Sequence, residues 1–333
     1  MRGNVKLLGI MLTVALLTGL TGMSRSEAAQ TREIQFYTPP VASSIHTIAV
    51  AMCDMLKKHS PWLRGTAEVA WGIDGLKLWA RDPARKKTGV ANMMPVNLWE
   101  AERQGLLKGM KPLVLMKTIT NNQFWMTFDP AIKSVLDFPG KRVSVGKKGS
   151  GLAMGPEYMF KEARVYDKTK ISYLDFDGSA TAFLDKTLDA AWGTAVIGRT
   201  KGMPAPAFTE ISISDKTFHF VGVEQKWVDA VRKNTGYPLY AITMPKGTMG
   251  KNQPDPLLTL ETAAFWFATT DLDNDVVYEL CRVMWEHYEE LANYIKVASL
   301  LVRDDLPTSP FPSSAYHPAA IKYFTEKKVK IGS

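Results

Sequence analysis

Short apolar runs alternate with segments of helical period along most of the chain. Ile34-Gln35-Phe36-Tyr37 predicts a strand, followed by a turn at Pro39-Pro40. Ile45, Ile48, Ala49, Met52, Cys53, Met55 and Leu56 then recur at helical spacing. Val69-Ala70-Trp71 predicts a second strand, with Gly72 opening a short helix that carries Leu76 and Trp79. Gly89 to Met93 predicts a third strand, followed by a helix near Val96 to Gln104, and Leu113 to Met116 predicts a fourth. This alternation predicts an α/β fold on a sheet of mostly parallel strands.

A second block starts after Asn121-Asn122. Strands are expected at Phe124 to Phe128, Arg142 to Gly146, Ile171 to Leu174, Ala190 to Trp192 and Glu210 to Ile213. Helices are expected near Ser179 to Leu184 and Gln225 to Lys233. Past Gly236-Tyr237-Pro238 the texture changes. A strand at Leu239 to Thr243 is followed by two long helical patterns, Leu257 to Thr269 and Val276 to Leu291, and then by a Pro-rich tail. At 333 residues, the chain suits roughly two domains of about 150 residues.

The N-terminus changes the charge reading. Arg2 and Lys6 precede the apolar run Leu7 to Leu17, and Ser26-Glu27-Ala28 supplies small residues at a cleavage site. This is the layout of a secretory signal peptide over residues 1–28, and the run falls short of the roughly 20 residues that span a bilayer. Removing three basic residues (Arg2, Lys6, Arg25) and one acidic residue (Glu27) lowers the net charge from +8 to +6. The mature protein is expected outside the cytoplasm, in the periplasm. The remaining basic residues are dispersed, with no basic element of the kind that grips nucleic acid. Cys53 and Cys281, the only two cysteines, leave open whether a disulfide forms.

Chemistry-bearing motifs are few. Gly146-Lys147-Lys148-Gly149-Ser150-Gly151 links a strand to a helix and suits an anion, through free N–H groups and the helix dipole. Leu152-Ala153 stands where a nucleotide P-loop needs Lys and Ser/Thr. His46, His59, His219, His287 and His317 show no metal-ligand spacing, and no nucleophile elbow is present, so neither a metal, a cofactor nor an enzyme is expected. Trp71, Trp99, Trp125 and Trp192 lie at or near predicted strand ends, where ligands of parallel α/β sheets bind.

Three segments carry a resemblance. Asp137-Phe138-Pro139-Gly140-Lys141-Arg142-Val143-Ser144-Val145-Gly146, Leu188-Asp189-Ala190-Ala191-Trp192-Gly193, and His317-Pro318-Ala319-Ala320-Ile321-Lys322-Tyr323-Phe324 together resemble the TAXI family of TRAP-transporter solute receptors. The resemblance runs from about Ile34 to the C-terminus. It implies a two-lobe periplasmic-binding-protein fold of type II-like form, with lobes joined by a crossing hinge. Lobe I would hold residues 29–122 and 238–333, and lobe II residues 123–237. It also implies capture of a small organic anion, mostly a carboxylate, and delivery by a monomeric receptor to a sodium-coupled TRAP-type permease. The loops Pro39 to His46 and Trp71 to Asp74, and the terminal His-Pro-Ala-Ala, depart from the family's usual sequences. ABC-type and tripartite-tricarboxylate receptors share the architecture and stay open as alternatives, as does a receptor that presents its ligand to a sensor.

On this reading the ligand-binding residues are expected to be Ser43, Ser44, His46, Trp71, Asp74 and Asn92 from lobe I. Trp125, Lys148, Gly149, Ser150, Gly151 and Trp192 are expected from lobe II. Hydroxyls, His46, Lys148 and loop N–H groups would meet the anion. Asp74 would accept a ligand hydroxyl or amine, and the tryptophans would wall an apolar body.

Overall fold

A computed structural model describes residues 31–41, 43–148, 151–198, 201–209, 211 and 216–333. The expected signal peptide, Gly149, Ser150 and most of the strand expected at Glu210 to Ile213 lie outside the described residues. Strand β1 (Arg32–Thr38) feeds helix α1 (Ser44–His59). Ser43 caps α1 by accepting the His46 N–H at 3.1 Å, and Ile48, Ala49, Met52, Met55 and Leu56 form its buried face. Strand β2 (Leu63–Val69), helix α2 (Ile73–Arg81), strand β3 (Gly89–Met93) and helix α3 (Pro95–Arg103) continue the strand–helix alternation.

Strand β4 (Leu113–Thr127) then runs for 15 residues without interruption. The Asn121-Asn122 pair, expected to separate two blocks, lies inside it. Both Asn122 amide groups are used there: Nδ2 donates to Thr259 Oγ1 at 2.9 Å, and the backbone carbonyl accepts from Thr194 Oγ1 at 3.3 Å. Beyond β4 come β5 (Arg142–Ser144), helix α4 (Gly151–Glu162), β6 (Lys170–Ser172), helix α5 (Phe176–Leu184), β7 (Ala191–Ile197) and β8 (Gly202–Pro204). β9 (His219–Val221), helix α6 (Gln225–Thr235) and β10 (Tyr240–Met244) complete this part.

Strand β11 (Leu257–Ala268) occupies the segment whose pattern predicted a helix. Its apolar positions satisfy a helical period, but Thr259, Thr262, Phe265, Trp266 and Phe267 favour a pleated surface. It is covered on both faces, so no period of two survives to identify it. Helices α7 (Asn274–Glu286) and α8 (Pro318–Glu326) follow.

One sheet of nine strands joins both halves, in the order β2-β1-β3-β11-β4-β7-β8, with β10 on β11 and β9 on β4. It is mixed rather than mostly parallel. β1 is parallel to β2 and β3, but β3–β11, β11–β4, β4–β7, β4–β9, β7–β8 and β10–β11 are all antiparallel. Long antiparallel partners replace crossover helices where the chain passes between halves. β11 pairs through Leu260–Ala268 with β4, through Phe265–Phe267 with β3, and through Leu257–Glu261 with β10.

Apolar side chains separate into two groups around this axis. On the first half, α1, α7 and α8 pack over β1, β3 and β4, while Tyr37, Leu76, Trp79 and Phe265 fill the opposite face. On the second half, Trp125, Phe138, Phe160 and Trp192 centre one cluster, and Phe124, Phe183, Phe208 and Phe218 another. Cys53 and Cys281 are free thiols, and burial pushes the Cys53 thiol up to about 12. No helix among the described residues is long and apolar enough to cross a membrane.

Candidate functional site

The carboxyl ends of the parallel strands β1, β2 and β3 lie side by side and tie their following loops together. Ala70 N donates to Thr38 O at 3.0 Å, and Gly72 N donates to Asn92 O at 3.3 Å. Gly72 has φ +59°, and a Cβ there would lie 2.8 Å from Asn97 Nδ2, so this crossing requires glycine. Asn97 is held in turn, its Oδ1 accepting Met94 N at 2.8 Å. His46 is anchored through Nδ1 to Thr38 Oγ1 at 2.7 Å, while Ser43 and Ser44 form the start of α1. Asn92 is fully buried. Its Nδ2 donates to Thr118 Oγ1 at 2.8 Å, but its Oδ1 has no partner.

Trp71 and Asp74 line an opening at this edge with Pro40, Glu68 and Lys77. Trp71 keeps 36% of its surface exposed, and Asp74 accepts Lys77 Nζ at 3.0 Å along α2. Six expected residues from the first half are therefore gathered around three strand ends.

A second opening lies where both halves meet the central strands. Met94–Val96 from the β3–α3 junction, Leu152 and Gly155 of α4, Tyr237–Tyr240, and Gln123 with Leu260–Ala263 of the long strands enclose about 490 Å³, counting the mouth. The enclosed space within it is about 30 Å³, room for about one or two waters. Gln123 is 1% exposed, and its Nε2 has no partner. An unpaired buried amide costs about 1–3 kcal/mol, which a bound polar group would recover. Burial pushes the Glu261 carboxyl above the usual range, with Lys117 pulling the other way; burial holds Lys117 below its own usual value. Trp99 and Tyr158 pack against Tyr237, with ring centroids 5.3 and 5.1 Å away, and stiffen this wall.

Gln123 and Glu261 were not among the residues expected from sequence. Their signal was a polar residue inside an apolar strand run. The helical reading of Leu257 to Thr269 hid it for Glu261, and the presumed break at Asn121-Asn122 hid it for Gln123.

Trp125 and Trp192 require a correction. Expected to wall the ligand, they are fully buried and lie 4.3 Å apart between ring centroids, with Phe138 and Phe160 beside Trp125. Trp125 Nε1 donates to Ser144 O at 3.1 Å, and Trp192 N donates to Ser144 Oγ at 2.8 Å. The motif segments thus hold one another. Arg142 grips Asp189 through Nη2 at 2.8 Å and through its backbone N at 2.8 Å, which keeps the Asp189 carboxyl below the usual range. A Cβ at Gly193 would meet Met126 Cε at 2.9 Å. His317 is 1% exposed and caps α8, Nδ1 accepting Ala319 N at 3.3 Å. Lys148 lies with Nζ 5.4 Å from the Tyr173 ring centre. Gly151 opens α4, two turns of which reach the cleft through Leu152 and Gly155.

Two halves are thus joined by long strands, with a mostly apolar opening between them that carries Gln123 and Glu261 in its wall. The model of the NMT1-like family matches residues 100–327, more than half of the chain. The chain belongs to the NMT1-like family. The NMT1-like chain is also similar to a TctC solute-binding protein from Polaromonas, at 14% identity and a TM-score of 0.49 over 83% of this chain and 89% of that one. The periplasmic aliphatic sulphonate-binding protein SsuA from Escherichia coli is similar at 13% identity and a TM-score of 0.46, over 90% and 94%.

Proposed function

We propose that this NMT1-like protein is an extracytoplasmic receptor that closes its two halves on a small organic anion and delivers it to a TRAP-type permease. The lobes divide near Asn122 and Tyr237, and β4 and β11 flex between them. The observation that carries the reading is the pair of buried, unpaired amide atoms, Asn92 Oδ1 on β3 and Gln123 Nε2 on β4. One offers an acceptor and the other a donor, and Gln123 opens on the cleft between the halves. Structural amides in a finished core are paired.

The anionic group is held at the start of α4, where Lys148, Ser150 and the N–H groups of Gly149 and Gly151 supply positive potential. Ser43, Ser44 and His46 approach from the opposite lobe, with Trp71 and Asp74 at the rim. Gln123 and Glu261 meet the polar body of the solute. Closure removes water from these contacts and strengthens them. Delivery to a TRAP-type system rests on the resemblance of the segments 137–146, 188–193 and 317–324 to receptors of that class.

A thermal-unfolding screen over carboxylates, sulfonates, amino acids and aromatic acids tests the ligand class. A solute present at about 100 times its Kd adds about 2.7 kcal/mol. A carboxylate that stabilises the wild type and weakens at least tenfold with Ser150→Ala supports the reading. Unchanged affinity in that variant sinks the placement of the anion. Uptake into vesicles carrying the permease separates the partner: dependence on a sodium gradient supports a TRAP system, and dependence on ATP contradicts it.

A further inference from the structure

Two histidines that are 228 positions apart come together on the outer side of the first half. His59 ends α1, and His287 follows the last turn of α7. Their rings stack with centroids 3.4 Å apart and planes within 7°. Glu290 lies over both, its Oε1 2.7 Å from His59 Nε2 and 3.4 Å from His287 Nδ1. All three donor atoms fall within 4.8 Å of one another. Despite its nearness to Glu290, the buried His59 Nε2 has no aligned hydrogen-bond partner.

The group is positioned by the backbone rather than by chance contact. Arg282 Nη2 donates to His59 O at 2.7 Å, fixing the end of α1 against α7. His287 N bonds Val283 O at 3.1 Å, and Glu290 N bonds His287 O at 3.0 Å, so one tight turn presents both side chains. Nearby cations are already engaged. Lys58 pairs with Asp54 at 3.0 Å and reaches only Glu290 Oε2, at 4.0 Å, leaving Oε1 turned to the imidazoles. Arg282 is occupied by Glu279 and Glu286.

We propose that His59, His287 and Glu290 form a surface site for a divalent transition metal of the zinc class. Zinc bonds of about 2.0–2.1 Å at tetrahedral angles place donor atoms about 3.3 Å apart, close to the His287–Glu290 separation. Imidazole lone pairs lie in the ring plane, so one of the stacked rings turns to aim its nitrogen at the shared ion, and a small outward shift of Glu290 brings His59 to the same spacing. Two imidazoles and a carboxylate suit zinc, nickel or copper rather than calcium or magnesium, and the fourth position is left to water. The metal would staple the end of α1 to the corner after α7. This site is separate from the opening between the halves, so the inference stands apart from the proposed solute.

Calorimetric titration of the signal-peptide-free chain with zinc chloride tests it. One ion per chain is expected, with a midpoint of unfolding that rises with zinc and falls back with EDTA. His287→Ala and Glu290→Gln should each weaken zinc at least tenfold, while His219→Gln leaves it unchanged. Cobalt should give the intense visible absorption of a tetrahedral centre in the wild type and lose it in His59→Ala. Circular dichroism confirms that each variant folds. Absence of zinc binding to the wild type, or equal binding by the folded His287→Ala and Glu290→Gln variants, overturns the proposal.

Discussion

Trp125 and Trp192 in the second half and Trp71 in the first half all stand at or near strand ends, yet their surroundings are opposite. The first two have no exposed surface and pack on one another, with Phe138 and Phe160 beside Trp125 and Trp125 Nε1 satisfied by Ser144 O. Trp71 lies just past β2, keeps 36% of its surface open and borders a rim opening. Closeness to a strand end therefore does not make a tryptophan a ligand wall. What separates the cases is whether helices cover that end. In the second half α4 and the segment 135–138 lie across Trp125, whereas the loops after β1 and β2 leave Trp71 uncovered.

The largest effect that would break this comparison is at Trp192. Trp192→Ala is expected to cost about 3–5 kcal/mol of stability by opening a cavity in a closed core, measured by urea unfolding. A folded variant of unchanged stability that no longer binds solute would return Trp192 to the site. The effect at His317 is smaller. His317→Ala should lose about 1 kcal/mol through the missing helix cap. Burial holds the His317 pKa below the ordinary value of about 6.5, so its contribution is present above about pH 6.5 and is lost as pH falls through the folded-state value. His317→Asn keeps a capping side chain and should flatten that acid limb; an unaltered acid limb would assign it to other groups. Glu261 carries the opposite sign. Its folded pKa is raised, so its contribution is present below about pH 4.3 and is lost as pH rises through the raised value. Glu261→Gln should therefore flatten the fall in stability above that pH, and an unchanged profile would show that the carboxyl is not desolvated. Smallest is Trp71→Ala, expected within about 0.5 kcal/mol of wild-type stability because 36% of the residue's surface is already in water. A drop of several kcal/mol would show that Trp71 is core after all.

The same contrast explains what the amino-acid sequence revealed. The first half was legible because α1, α2 and α3 each follow a parallel strand and keep one polar face. Its strand-end residues, from Ser43 to Asn92, consequently lie together as the alternation implied. The central strands were not legible. β4 and β11 are covered on both faces and show no alternation, so Leu257 to Thr269 read as a helix and Asn121-Asn122 as a break. That misreading concealed Gln123 and Glu261, which face the opening between the halves. The motif segments were conspicuous for another reason. Arg142, Asp189, Ser144 and His317 fix backbones to one another, and such contacts demand particular side chains without touching a ligand. The His59–His287 pair is invisible to spacing, because only packing of α1 on α7 brings the rings together.

The central claim is that solute is held between the halves on the buried amide of Gln123 in β4. Calorimetric titration of the stabilising solute into wild type and Gln123→Leu tests it most directly. Leucine fills the same space without the amide, so the variant should keep its fold and unfolding midpoint while solute affinity falls at least tenfold. A folded Gln123→Leu protein that binds the solute as tightly as the wild type would contradict the account.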